Sequence, residues 1–345
     1  MYPLRILSID GGGIRGIIPL KILDYIEKKT EKPIHQLFNV IGGTSTGGII
    51  ALGLNSFIPN TNKVYEAHEL MDFYTQDAKK LFSYRWESFG GWLLSSYRAR
   101  NIEDYLQHKF GKTTLLTELP TTADCLVIVY SYDLANNEPF EFCNRDTGGH
   151  MVWQAARATS AAPTFFPAFK FKNPNETDEK KPPVLIDGGV FINNPALNLL
   201  LEARKQMPHI QQENQLLVSI GTGDFNPYKE HFKWSGKLGW AGSIFGVTSM
   251  ATSSEADGQL QELLNYFDPR VLRDEKKQQE CDKTRYYRFQ KQFEKDVPMD
   301  GISRKQIKHL EQLGNQLVKE KQEELDQLCE VLAKPIESEI QLSSS

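Results

Sequence analysis

A short apolar strand, a glycine-rich turn and a helix follow one another twice near the start of this chain. Residues 4–9 predict a buried strand, which is followed by a glycine cluster and by apolar residues at helical spacing over residues 17–29. The same order returns at residues 38–41, where two glycines close the apolar run before the helix-like residues 48–52. Strands that alternate with helices in this way indicate a mostly parallel sheet covered on both faces.

The rest of the chain continues this alternation. Further strands are predicted at residues 125–132, 139–143, 184–186, 216–220 and 286–289. A chain of 345 residues can bury a sizeable core, so we expect one large α/β domain over residues 1–300. Residues 303–333 carry apolar side chains at roughly helical spacing, interrupted near Gly314. This C-terminal segment, residues 301–345, either packs on the domain or serves as a helix for a partner or a second copy.

Charge and cysteine content limit the partners and cofactors to be expected. The formal net charge of −4 provides no overall field that attracts nucleic acid. The four cysteines lie far apart without a C-x-x-C pair, which argues against structural zinc and against a disulfide framework, and fits a reducing cytoplasm. No H-x-x-x-H or clustered-carboxylate motif predicts a metal, and we expect no cofactor. Without a signal peptide or a long apolar run, the chain is expected to meet membranes from outside.

The pentapeptide Gly-Thr-Ser-Thr-Gly, from Gly43 to Gly47, has the G-x-S-x-G form of a nucleophile elbow. It lies where a predicted strand ends and a predicted helix begins. At such a turn the flanking glycines let the chain bend sharply, and the Ser45 hydroxyl is held above the sheet edge at a helix N-terminus. Glycine and serine also occur in purely structural turns, so it is the strand and helix context that favours Ser45 as a nucleophile.

The segment from Asp10 to Gly16 also follows a strand and opens a helix. Gly11, Gly13 and Gly16 satisfy G-x-G-x-x-G, the dinucleotide fingerprint. That interpretation requires a second strand ending in an acidic residue about 20 positions further on, and the serine elbow stands there instead. The backbone amides of the same glycines can form an oxyanion hole. Arg15 either contacts a substrate anion or is an ordinary surface arginine.

A third segment, Val-Leu-Ile-Asp-Gly-Gly at residues 184–189, is an apolar run that ends in Asp187. A carboxylate at the carboxyl end of a buried strand is expected over the same sheet edge as the serine elbow, where α/β proteins build their sites. Asp-Gly is also common turn chemistry, so Asp187 could instead be a plain turn residue.

The glycine-rich segment, the serine elbow and the Asp-Gly-Gly triplet, in this order, resemble the patatin-like phospholipase family. The similarity runs over residues 5–223 and includes the small-residue segment at residues 158–163 and the glycines that close the strand at residues 217–220. The resemblance implies a three-layer α/β/α sandwich with a mostly parallel central sheet. It also implies metal-independent hydrolysis of phospholipid or lysophospholipid esters.

The family's site residues carry over onto the matching positions of this chain. The resemblance implies Ser45 as the nucleophile, Asp187 as the base in a two-member dyad, and oxyanion amides at Gly11, Gly12 and Gly13. Some bacterial members are toxins or effectors that stay inactive until a partner or a small nucleotide arrives. The resemblance therefore also allows an activating ligand or protein partner, and the sequence leaves self-association open.

A dyad makes a physical demand on Asp187. An aspartate with the ordinary pKa, near 3.9, is a poor base, so we expect its carboxyl group to be shielded from water. The competing interpretation is an α/β-hydrolase esterase with a triad, which needs a histidine after the acid in chain order. His209, His231 and His309 follow Asp187, but none lies in a glycine-rich turn after an evident strand. The dyad is therefore favoured.

Tryptophan placement predicts contact with a membrane surface. Trp86, Trp92, Trp234 and Trp240 fall in two stretches that are also rich in phenylalanine, leucine and basic residues. Such stretches are typical of an interfacial docking surface or an acyl-chain tunnel, although large aromatic side chains also fill ordinary cores. We expect peripheral membrane contact and no contact with nucleic acid.

Overall fold

A computed structural model describes most of the chain at the level of individual side chains. The described residues are 4–81, 99–120, 125–163, 165–170, 181–208, 210, 214–225, 237–264 and 285–336, without the side chains of residues 237–245.

Helices and strands alternate along the described chain as the sequence predicts. The helices are α1 Ile17–Thr30, α2 Thr46–Gly53, α3 Ala67–Thr75, α4 Ala78–Leu81, α5 Ala99–Phe110, α6 Val152–Thr159, α7 Ala196–Gln206, α8 Lys237–Leu264, α9 Arg304–Glu320 and α10 Gln322–Ala333. The strands are β1 Leu4–Ile9, β2 Val40–Thr44, β3 Leu126–Asp133, β4 Glu138–Cys143, β5 Phe169–Lys170, β6 Val184–Asp187, β7 Gln215–Ile220 and β8 Tyr286–Phe289.

The eight strands among the described residues form one sheet in the order β5-β6-β3-β2-β1-β7-β8, and β4 also pairs with β3. The pairs that β1 makes with β2 and β7 are parallel, as are the pairs of β2 with β3 and of β7 with β8. The pairs of β3 with β4 and β6, and of β5 with β6, are antiparallel. The prediction of a mostly parallel sheet is confirmed.

Both faces of the sheet are covered, because successive strand residues point to opposite sides. In β1, Leu7 and Ile9 belong to the hydrophobic core that includes α1, α2 and α6. Leu4 and Ile6 belong to a second core on the other face, with residues of α7 and with Leu260 of α8. The structure is therefore the three-layer α/β/α sandwich that the resemblance implies.

β2 differs from its predicted bounds. The prediction ended the strand at residue 41 and placed Gly42 and Gly43 in the turn, but both glycines belong to the strand. Gly42 lies under α7, where an added Cβ would be 2.5 Å from Leu199 Cδ2 and 2.6 Å from the carbonyl oxygen of Ile128. Close packing of helix on sheet, rather than turn geometry, explains this glycine.

β6 pairs antiparallel with β3 in this mostly parallel sheet. β4 pairs with residues 128–133 of β3 and therefore occupies one edge of that strand. β2 pairs with residues 126–130 and β6 with residues 131–133. These two strands must then share the opposite edge of β3 and lie end to end along it.

The end-to-end arrangement brings the carboxyl ends of β2 and β6 together. Thr44, the last residue of β2, is in register with Tyr130 of β3. Asp187, the last residue of β6, is in register with Ser131, the next residue of β3. The turn that follows Thr44 therefore begins beside Asp187.

The two C-terminal helices pack on α1 within the first core. The apolar spacing is interrupted near Gly314, but α9 continues through Gly314 and the helix ends only before Lys321. An added Cβ at Gly314 would lie 2.8 Å from Lys21 Cγ of α1, so close helix packing accounts for this glycine. The buried leucines of the two helices are Leu310, Leu317, Leu325, Leu328 and Leu332.

Candidate active site

Ser45 lies in the turn between β2 and α2 with a backbone conformation that non-glycine residues rarely adopt, φ 56° and ψ −124°. A Cβ added to Gly43 would lie 2.3 Å from the Gly47 carbonyl oxygen. A Cβ added to Gly47 would lie 2.1 Å from the Ile9 carbonyl oxygen. Only glycines permit so tight a turn. Ser45 directly precedes the first residue of α2, at the positive end of the helix dipole. The turn thus has the elbow geometry that the pentapeptide predicts.

The end of α6 fixes the backbone around both predicted catalytic residues. Thr159 Oγ1 accepts a hydrogen bond from Ser45 N at 2.9 Å and donates one to the Tyr130 carbonyl oxygen at 2.7 Å. Two residues further on, the Ala161 carbonyl oxygen accepts a hydrogen bond from Asp187 N at 3.0 Å. Sequence reasoning noted this segment only as a family-like run of small residues and did not single out Thr159. A hydroxyl within that run was the available signal.

Asp187 is completely buried. Its Oδ1 accepts a hydrogen bond from Gly189 N at 2.8 Å, whereas Oδ2 makes no hydrogen bond of regular geometry within the described chain. Burial raises the pKa of Asp187 to about 7. It outweighs the opposite effect of the neighbouring Ser45 hydroxyl and Gly189 amide, which lower the pKa. The side chain therefore has the shielding that a base without histidine needs, and it can accept a proton near neutral pH.

The glycine loop after β1 lies against the elbow. An added Cβ at Gly11 would be 3.2 Å from Ser45 Cβ. The Gly11 amide donates to the Asn193 carbonyl oxygen at 3.1 Å, while the amides of Gly12 and Gly13 donate no hydrogen bond within the described residues. Of the three amides predicted for an oxyanion hole, Gly12 and Gly13 are free and Gly11 is engaged. The Asn193 carbonyl oxygen thus braces the start of the glycine loop.

Arg15 is buried and contacts the segment that follows β8. Its Nε donates to the Val297 carbonyl oxygen at 2.6 Å and its Nη2 donates to Asp296 Oδ1 at 3.3 Å. The guanidinium also lies over the Phe293 ring, 5.4 Å from its centroid. The surface-arginine alternative is wrong, since Arg15 is 5% exposed. These contacts make Arg15 an anchor between the glycine loop and the segment after β8.

An apolar pocket opens onto Ser45. Gly12 and Gly13 also contribute to its wall, next to Ser45. The rest of the wall is mostly hydrocarbon and aromatic. These lining residues include Ile49, Leu81, Ile102, Phe165, Phe166 and Met299.

Of the three histidines that the triad alternative could use, only His309 lies in the described part of the chain. His309 lies exposed on α9 and is not among the residues that line the apolar pocket. His209 and His231 lie outside the described residues. No histidine of the described chain lines this pocket.

The tryptophans behind the membrane-contact prediction also fall outside the described part of the structure. Trp86, Trp92 and Trp234 lie in segments beyond the described residues, as does the side chain of Trp240. Among the helices that are described, none combines the length and the apolar character needed to cross a bilayer.

A serine on a strained strand-to-helix turn, a buried carboxylate beside it and a glycine loop with free backbone amides at the same apolar pocket are typical of serine acyl hydrolases. Comparison with known proteins agrees with this class. The family model described as "Patatin-like phospholipase" matches residues 7–200. The chain belongs to the patatin-like phospholipase family, a family of lipid acyl hydrolases.

Plant proteins are among the relatives that match. Patatin-like protein 2 of Oryza sativa subsp. indica is 30% identical over 295 residues, covering 74% of this chain and 70% of the relative. Patatin-like protein 3 of Arabidopsis thaliana is 33% identical, covering 68% and 63%. Patatin-T5 of Solanum tuberosum is 30% identical, covering 74% and 70%. The solved structure of VipD from Legionella pneumophila aligns at a TM-score of 0.40 and 12% identity over 91% of this chain and 67% of VipD, a likeness that does not bear on function.

Proposed function

We propose that this protein hydrolyses carboxylic ester bonds of phospholipids or lysophospholipids, with Ser45 as nucleophile and Asp187 as its base. The observation that carries the proposal is the buried Asp187 carboxyl group beside the Ser45 hydroxyl, with its pKa raised to about 7 by burial. A carboxylate with that pKa can take a proton from serine near neutral pH without a histidine between them.

The proposed reaction has two halves. Asp187 takes the hydroxyl proton while Ser45 Oγ attacks the ester carbonyl carbon, and the resulting oxyanion accepts hydrogen bonds from the Gly12 and Gly13 amides. The alcohol part then leaves with the proton from Asp187, and the acyl group stays on Ser45. Water attacks the acyl-enzyme in the same way, giving its proton to Asp187. The fatty acid leaves, and the proton returns to Ser45 Oγ.

The apolar pocket supports a fatty acyl chain as the group transferred to Ser45. A bound chain would lie against side chains such as Ile102 and Phe166, which are nearly excluded from solvent. Burial of hydrocarbon is worth about 0.8 kcal/mol per methylene, so such a wall favours long acyl chains over acetate. Because phospholipids reside in membranes, we also propose that the enzyme acts at membrane surfaces, which a vesicle co-sedimentation assay would test.

The first experiment measures fatty acid release from defined phospholipids by mass spectrometry. Ser45→Ala should abolish hydrolysis, and Asp187→Asn should lower kcat by at least about a hundredfold, since an amide cannot accept the proton. Ser56→Ala is the matched control, because it removes another serine hydroxyl just beyond the far end of α2. Hydrolysis by the Ser45→Ala variant at the parent rate would refute the proposal.

The same assay separates the dyad from a triad. Gln replacements of His209, His231 and His309, made one at a time, should each leave kcat within about tenfold of the parent value. Loss of a true triad histidine costs several powers of ten. One inactive variant that still folds would replace the dyad by a Ser-Asp-His triad.

A further inference from the structure

A second pocket adjoins the proposed active site, and its wall is polar. Gly11 lines this polar pocket, whereas Gly12 and Gly13 line the apolar one, so the glycine loop lies between the two. Asn193 and Met299 contribute to both walls. The side chains of the polar pocket that matter here are Asp10, Arg15, Asp224, Ser253, Asp257 and Arg288.

Three charged residues of the wall, Asp10, Arg15 and Arg288, are held in ion pairs. Arg288 Nη2 donates to Asp10 Oδ2 at 2.6 Å, and Arg15 Nη2 donates to Asp296 Oδ1 at 3.3 Å. Both arginines of the wall are therefore already neutralised by carboxylates. They leave no positive charge free for an incoming anion.

The other two carboxylates of the wall, Asp224 and Asp257, accept hydrogen bonds from uncharged donors. Asp257 accepts hydrogen bonds from Tyr286 Oη at 2.7 Å and from Gln261 Nε2 at 3.1 Å. Asp224 Oδ1 accepts from the backbone amide of Phe225 at 2.8 Å. The polar pocket thus carries a surplus of negative charge next to the point where an ester would be cut.

We propose that the polar pocket receives the polar head group of the substrate, and that its surplus negative charge selects head groups ending in an ammonium over anionic ones. This inference rests on the proposed ester hydrolysis. An amphipathic ester held at Ser45 needs an apolar space for its acyl chain and a polar space for the remainder of the molecule. The two pockets provide these on either side of the glycine loop.

The chemistry of the wall suits a zwitterionic head group. An ammonium group is attracted electrostatically by both Asp224 and Asp257, whereas these carboxylates repel a head group that carries only negative charge. Ser253 Oγ accepts a hydrogen bond from Asn193 Nδ2, which leaves its own hydroxyl hydrogen for a phosphate oxygen. Phosphatidylethanolamine therefore fits this pocket better than phosphatidylglycerol.

The test uses dihexanoyl-phosphatidylethanolamine and dihexanoyl-phosphatidylglycerol as dissolved monomers, so that membrane docking does not enter. The parent enzyme should cleave the ethanolamine lipid with at least about fivefold higher kcat/KM, the size of one partly exposed charge interaction. Asp224→Asn and Asp257→Asn should each move this ratio towards one. Each variant should lower kcat/KM for the ethanolamine lipid more than for p-nitrophenyl butyrate, which has no head group. Glu330→Gln, which removes an exposed charge from α10, should change nothing.

The outcomes separate the two proposals. Parent enzyme that cleaves neither lipid nor p-nitrophenyl butyrate would overturn ester hydrolysis itself. A ratio at or below one, or a ratio that the two variants do not move, would overturn the head-group pocket and leave ester hydrolysis standing. An equal loss on all three substrates would also overturn it, since the carboxylates would then act through the fold.

Discussion

Arg288 of β8 and Asp10, the residue just before the glycine loop, form a buried ion pair with two hydrogen bonds. Nη1 donates to Oδ1 at 2.9 Å and Nη2 donates to Oδ2 at 2.6 Å. Nη1 also donates to Ser219 Oγ of β7 at 2.8 Å. The Asp10 side chain is 1% exposed and that of Arg288 is 10% exposed. The pair therefore ties the last strand of the sheet to the start of the loop that carries the free amides.

Loss of this pair should destabilise the fold strongly. Arg288→Met leaves the Asp10 carboxylate buried without its cation, and we expect the free energy of unfolding to fall by about 3 to 5 kcal/mol. Urea unfolding followed by circular dichroism measures the change. Lys28→Met is the control, because Lys28 pairs with Asp24 on the surface and its loss should cost less than about 1 kcal/mol. Equal effects of the two replacements would show that the buried pair does not hold the loop.

The rate of ester hydrolysis should rise with pH through about 7. Burial raises the pKa of Asp187 to about 7, and only its carboxylate form can accept the Ser45 proton. Below that pKa, kcat/KM on p-nitrophenyl butyrate should fall about tenfold per pH unit. A profile that stays flat between about pH 5 and pH 9 would exclude Asp187 as the titrating base.

The same carboxyl group should make the protein less stable as pH rises. Its pKa is about 7 in the folded chain, well above the ordinary value of about 3.9 in the unfolded chain. The folded state therefore binds the proton more tightly. This stabilisation is fully present below about pH 4 and is lost as pH rises through about 7.

Asp187→Asn removes this pH dependence. Between about pH 5 and pH 8 the parent should lose about 2.7 kcal/mol of stability that the variant does not lose. The two pH units between pH 5 and the folded pKa of about 7 are each worth about 1.4 kcal/mol. Thermal melts of both proteins at the two pH values measure the difference. An unchanged difference between the two proteins across this range would mean that Asp187 does not titrate there.

Thr159 should support catalysis by holding Ser45 in position. Thr159→Val removes the oxygen that accepts from Ser45 N and donates to Tyr130, and we expect kcat to fall about tenfold with KM nearly unchanged. A buried donor left unpaired also costs about 1 to 3 kcal/mol of stability. Thr159→Ser keeps the hydroxyl and should restore most of kcat. If serine and valine at this position behaved alike, the hydroxyl would have no part in holding the elbow.

The preference of the enzyme for long acyl chains should depend on Ile102. This α5 side chain is 2% exposed and lines the apolar pocket, so Ile102→Trp should fill space that a long chain occupies. We expect the ratio of kcat/KM for p-nitrophenyl palmitate to that for the butyrate ester to fall at least about tenfold, a difference of about 1.4 kcal/mol. Ile102→Val preserves the space and should keep the ratio. Parallel loss on both esters would place the acyl chain elsewhere.

The sequence alone determined the local features of the site. The order of strand, glycine turn and helix predicted β1, β2 and the mostly parallel sheet, and the pentapeptide predicted the elbow at Ser45. These features depend on residues that are close together in the chain, because glycine spacing and apolar periodicity set the backbone of a turn or a helix without distant partners.

The tertiary structure alone decided how distant segments meet. Asp187 was expected over the same sheet edge as Ser45, but only the structure shows that its strand is antiparallel and shares an edge of β3 with β2. The local sequence also did not indicate the hydrogen-bond partners of Thr159, the burial of Arg15 or the pairing of Asp10 with Arg288. Each joins residues far apart in the sequence, and strand direction, register and helix packing determine such contacts only once the whole sheet has formed.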